Sequence, residues 1–96
     1  MVKLQKIHDK RYCYYDKPTK TLYTLKYGDR GVYGRGKSWY LKMKIGESKD
    51  DCIATFTVKT DYNCCEKEDY GGRLWTDDEA FREATRIIEK SILIMS

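Results

Sequence analysis

The sequence predicts an α+β fold: an antiparallel sheet of four to five strands with one C-terminal helix packed on one face. Three observations carry this. Residues 39–45 alternate strictly, with Trp39, Leu41, Met43 and Ile45 on one side and Tyr40, Lys42 and Lys44 on the other. Residues 52–59 alternate again after a polar loop at 46–51. Residues 76–94 open on a helix-capping signal and continue with an apolar stripe at helical spacing.

The 96 residues read as one domain in three stretches: a basic β region at 1–60, a polar loop at 61–73 and a capped helix at 74–96. The first strand is expected at 11–15, rich in tyrosine, ending at the turn signal Asp16-Lys17-Pro18. Its return strand at 22–27 alternates Tyr23, Leu25 and Tyr27 with Thr24 and Lys26. Residues 28–37 hold Gly28, Gly31, Gly34 and Gly36 and read as a flexible turn. In the strand at 52–59, strict alternation places Cys52, Ala54, Phe56 and Val58 on one face and Ile53, Thr55, Thr57 and Lys59 on the other.

The helix is expected to run from 77 to 94. Thr76 and Glu79 form a capping box, each side chain accepting from the other's backbone N–H. Trp75, just before the cap, is placed to staple onto Ala80. Acids in the first turn suit the positive end of the helix dipole. Phe81, Ala84, Ile88, Ile92 and Met95, widened by Ala80, Ile87 and Ser91, make the stripe that should cover the Trp39 side of the sheet.

Charge is polarised along the chain. Residues 1–60 hold fourteen Lys and Arg against six Asp and Glu, a net of +8, whereas residues 61–96 hold five against nine, a net of −4. A basic, aromatic-rich β region favours an anionic partner, nucleic acid above all. The candidate nucleic-acid-binding residues are Arg30, Arg35, Lys37, Tyr40, Lys42 and Lys44, the cations for phosphates and the tyrosine for stacking on bases. Either DNA or RNA fits. The competing explanation of strand lysines is protection of a sheet edge against aggregation.

Part of this pattern resembles the three-stranded-sheet-plus-helix DNA-binding domains, of the plant ethylene-response-factor type and the arm-type domain of phage tyrosine recombinases. The matching positions are Gly31-Val32, Trp39, Ile45, Trp75-Thr76, Glu79-Ala80 and Ala84. The resemblance implies that the sheet face opposite the helix enters the DNA major groove, with Tyr40, Lys42, Lys44, Arg30 and Arg35 directed outward. The chain departs from that pattern in the long stretch between Ile45 and Trp75 and in its extra N-terminal hairpin.

Nine tyrosines point to an alternative, a protein interface, where tyrosine, tryptophan and arginine serve as anchors. On that reading the chain is a phage or viral anti-defence or host-takeover inhibitor, of the anti-CRISPR type, bound to a host protein complex. A plain preference of tyrosine for half-buried strands also accounts for the number. An unpaired sheet edge admits a homodimer.

No enzyme is expected. His8 is the one histidine, in a charged segment. The adjacent pairs Asp50-Asp51 and Asp77-Asp78 diverge, and the second is explained by helix capping. The glycine-rich stretch leads into a strand and lacks the spacing of a phosphate loop. No cofactor or metal is assigned. Cys13, Cys52, Cys64 and Cys65 read as free thiols, with zinc on His8, Cys13 and Cys64 or Cys65, or a disulfide, as alternatives. Acidic neighbours make Cys64-Cys65 a poor nucleophile. With no apolar run long enough to span a bilayer and a charged N-terminus, the expected location is the cytoplasm, of a host cell if the protein is viral.

Overall fold

A computed structural model describes residues 2–29, 36–60 and 74–95. The described residues form five strands and a helix: β1 (Gln5–His8), β2 (Arg11–Asp16), β3 (Thr21–Asp29), β4 (Gly36–Ile45), β5 (Asp51–Thr60) and α1 (Asp77–Met95). The sheet order is β1-β2-β3-β4-β5, antiparallel throughout. Every strand therefore pairs with its neighbour in sequence, and β1 and β5 are the edges. The exposed β1 extends the predicted N-terminal hairpin by one strand. Its sequence, Gln-Lys-Ile-His, carries no alternation that would announce it. No helix among the described residues is long and apolar enough to cross a membrane.

Among the described residues, three with positive φ stand in turns. Lys10 (φ 59°) closes β1–β2, Lys20 (φ 54°) closes β2–β3, and Gly46 (φ 56°) closes β4–β5. The backbone N–H of Gly46 donates to the Lys20 carbonyl at 2.8 Å, tying two of these turns together. At the second turn the buried Asp16 carboxylate accepts from the Thr19 hydroxyl (2.5 Å) and backbone N–H (3.2 Å). The Lys20 N–H also donates to the Lys17 carbonyl at 3.2 Å, so side chain and backbone together hold this turn.

The core lies between one sheet face and α1. Tyr23, Leu25, Trp39, Leu41, Ala54 and Phe56 from the sheet meet Ala80, Ala84 and Ile88 from the helix. The two alanines, four apart, let the helix backbone come close to the large sheet side chains. The capping box forms as read: Thr76 N–H donates to Glu79 Oε1 at 3.0 Å, and Glu79 N–H to Thr76 Oγ1 at 3.2 Å. Trp75 packs edge-on against Phe56, ring centroids 5.0 Å apart, and its N–H donates to the Thr57 carbonyl at 2.8 Å. That bond satisfies one carbonyl on the outer edge of β5 and sets where the helix begins. The Trp39 indole N–H donates to Asp77 Oδ1 at 2.8 Å, joining β4 to the first helical turn. At the other end Tyr23 Oη donates to Ser91 Oγ at 3.0 Å. Burial raises the Tyr23 pKa, because the phenolate would lose its water; the Ser91 hydrogen bond partly opposes this.

Strict alternation fails in β5. The register steps between Leu41↔Ala54 and Lys42↔Cys52, so Ile53 is an extra residue, a β-bulge. Ile53 consequently packs on the helix side, beside Met43, Ile87 and Met95, and Cys52 lies across from Lys42 on the opposite face. This reverses the sequence assignment of both residues. A second step, between Lys37↔Lys59 and Ser38↔Thr57, makes Val58 an extra residue too, but Val58 stays on the core side where the alternation placed it. Ile45, expected inside, is exposed at the strand end.

Candidate nucleic-acid interface

The sheet face away from α1 is built from alternate strand positions. Strands β2 and β3 pair Arg11 with Lys26, Cys13 with Thr24 and Tyr15 with Leu22. Strands β3 and β4 pair Lys26 with Tyr40, Thr24 with Lys42 and Leu22 with Lys44. Two rows thus cross the sheet: Arg11–Lys26–Tyr40–Thr55 and Cys13–Thr24–Lys42–Cys52. With strands about 4.8 Å apart and side chains on one face about 6.6 Å apart along a strand, the four cations occupy a patch roughly 10 Å across the strands and about 13 Å along them.

Four basic side chains, Arg11, Lys26, Lys42 and Lys44, project from this face, and no Asp or Glu shares it among the described positions of β2 to β5. None of the four takes part in an ion pair among the described residues. Arg11 and Lys26 stand directly opposite one another, an arrangement that destabilises a sheet when nothing anionic lies between. The edge-protection explanation does not reach Lys26, Lys42 or Lys44, because β3 and β4 are interior strands. Tyr15 is 54% exposed and Tyr40 half-buried, both on this face. At one end the face is closed: Ser38 and Thr57 are fully buried, their hydroxyls 3.1 Å apart.

The candidate residues fare differently. Tyr40, Lys42 and Lys44 stand together as read. Lys37 does not join them, because its parity in β4 matches Trp39 and puts it on the helix side. Arg30 and Arg35 lie outside the described residues, as do Cys64 and Cys65. Arg11 and Lys26 were missed, although their signal was present: each alternates with tyrosines that turn inward, Arg11 with Tyr12 and Lys26 with Tyr27. Cys13 and Cys52 are free thiols, and no group of three or more His, Cys, Asp and Glu among the described residues could hold a metal ion. The described tyrosines divide by the same parity. Tyr12, Tyr14, Tyr23 and Tyr27 pack on the helix side, leaving Tyr15 and Tyr40 to the basic face.

No protein family, curated protein or solved structure matches this chain.

Proposed function

We propose that the protein binds nucleic acid without catalysing a reaction on it, using the sheet face opposite α1. The observation that carries this is the cluster of Arg11, Lys26, Lys42 and Lys44 on interior strands, with no carboxylate on that face among the described positions of β2 to β5. Such a cluster leaves like charges adjacent, a cost that phosphates would remove. Tyr15 and Tyr40 supply ring faces for bases beside it, and the threonines at 24 and 55 supply hydroxyls for phosphate or sugar contacts. A helix behind the sheet and a basic face in front is also the arrangement that the resemblance to sheet-type DNA-binding domains implies.

The test is fluorescence anisotropy of labelled single- and double-stranded DNA and RNA, titrated at two salt concentrations. Binding that weakens steeply with salt is the expected result, and the tighter of the four probes identifies the strand form. Absence of binding at low salt refutes the proposal.

A second reading, a protein partner, rests on the last turn of α1. Leu93 and Ile94 are 76% and 74% exposed, and Ile94 borders an apolar groove formed with Met43, Ile53 and Ile87. Apolar surface so exposed marks interaction sites. That reading, which suits an anti-defence inhibitor, predicts a stoichiometric complex insensitive to salt and lost on Leu93→Asp with Ile94→Asp.

A further inference from the structure

On the helix side of the sheet, a cleft of about 280 Å³ opens between the β1–β2 turn and the start of α1. Its walls are aromatic. Tyr12 meets Phe81 edge-on at 4.6 Å, Trp39 meets Phe81 edge-on at 4.9 Å, and Tyr27 tilts against Trp39 at 5.0 Å. Its rim is acidic: Asp9, Asp77 and Asp78 line it, against Lys10 as the one basic residue among the described lining. In a chain whose net charge is +4, this is a local reversal of sign. Asp77 and Asp78 also suit the helix N-terminus, but that role does not require aromatic rings beside them.

A cation already uses the cleft. The Lys10 ammonium stands 4.3 Å from the centroid of the Tyr27 ring. Its backbone is fixed, since the Tyr27 N–H donates to the Lys10 carbonyl at 3.0 Å and Lys10 closes the turn with φ of 59°. Its side chain, exposed and long, is a tethered occupant that a better ligand can displace. Ring faces attract cations through their quadrupole, and the attraction is greatest for cations that shed water readily. An alkylated ammonium or a guanidinium meets that condition; a sodium ion does not.

We propose that this cleft is a binding site for an organic cation of the methylated-ammonium or guanidinium class, with Lys10 as its internal competitor. The site is separate from the basic face, on the other side of the sheet, and does not depend on nucleic-acid binding.

The test follows the Trp39 indole N–H, which is bonded to Asp77, by ¹H–¹⁵N NMR in the full chain, with Trp75→Phe used to assign the two indole signals. Tetramethylammonium chloride, N-acetyl-trimethyllysine amide and N-acetyl-arginine amide are titrated against sodium chloride at matched ionic strength. A saturable shift with the organic cations is expected. Lys10→Ala should tighten it about two- to fivefold, the equivalent of one exposed cation–π contact, and Asp78→Asn, at an exposed position, should weaken it. The double variant Lys42→Thr, Lys44→Thr should leave it unchanged. A shift that tracks ionic strength alone, or one that Lys10→Ala does not tighten, overturns the proposal. A stronger response to the methylated ammonium probes than to the arginine probe, or the reverse, identifies which cation the site takes.

Discussion

Replacing Lys42 and Lys44 by threonine tests the basic face quantitatively. Threonine keeps the β preference of an interior strand, so the perturbation is to charge. Four cations on the face, each releasing about one counterion, give a slope of log K against log salt of about −3.6 on duplex and about −2.8 on single strands. Affinity would then fall roughly 150-fold on duplex, or about 50-fold on a single strand, between 50 and 200 mM salt. Removing two of the four lowers the slope by about 1.8 on duplex and about 1.4 on a single strand. That difference does not depend on how many contacts lie elsewhere on the chain. Anisotropy titrations at four salt concentrations yield the slopes, and circular dichroism confirms that the variant is folded. Lys37→Thr is the internal control: a residue on the helix side should leave the slope where it was. A double variant with the parent slope, or a Lys37 variant with a reduced one, would refute the assignment of faces.

Other consequences are open to direct measurement. Tyr23→Phe removes the hydrogen bond to Ser91 and should cost about 1 kcal/mol at pH 7. The raised Tyr23 pKa means the unfolded chain loses its proton first, so the parent loses stability as pH climbs above the ordinary tyrosine value, and the gap between parent and variant should narrow there. Urea unfolding of both chains at pH 7 and pH 10.5 reads this out, and a pH-independent gap would contradict it. Gly46→Ala should destabilise by about 1 kcal/mol through backbone conformation alone. Its φ is 56° and a Cβ there meets no atom within 4 Å, so thermal unfolding measures the left-handed penalty without a steric contribution. Thr76→Ala breaks the capping box and should also cost about 1 kcal/mol. Cys52, exposed and opposite Lys42, should react with a thiol reagent more slowly when nucleic acid is bound, in a background where Cys64 and Cys65 are serine.

What could be read from the sequence depended on whether a residue's position follows from local periodicity. The helix was readable because Thr76, Glu79, Ala80, Ala84 and Ile88 declare both its start and its inner face; it ends at Met95, one residue later than expected. Strand β4 was readable because nothing interrupts its alternation, and Tyr40, Lys42 and Lys44 followed directly. Lys37 was misplaced because it was treated as part of a turn, when β4 already begins at Gly36. Cys52 and Ile53 exchanged faces because a bulge is a property of the pair of strands, and neither strand alone records it. The partnership of Arg11 with Lys26 needed the register of β2 on β3. The aromatic cleft needed more still, since it joins a turn, three strands and the helix start from positions as distant as Asp9 and Asp78.

The sheet order has a kinetic consequence. Because each strand pairs with the next, the chain can assemble the sheet one hairpin at a time, with each closure spanning a short stretch. The bonds from Trp39 to Asp77 and from Val2 to Glu89 bridge much longer stretches and close only when the helix docks. A folding route in which the inner hairpins form first and helix docking completes the core follows from this order. Rate measurements would show it as a split: Leu25→Ala should slow folding, whereas Ala84→Gly should chiefly speed unfolding, and equal effects of both on the folding rate would rule the sequence of events out.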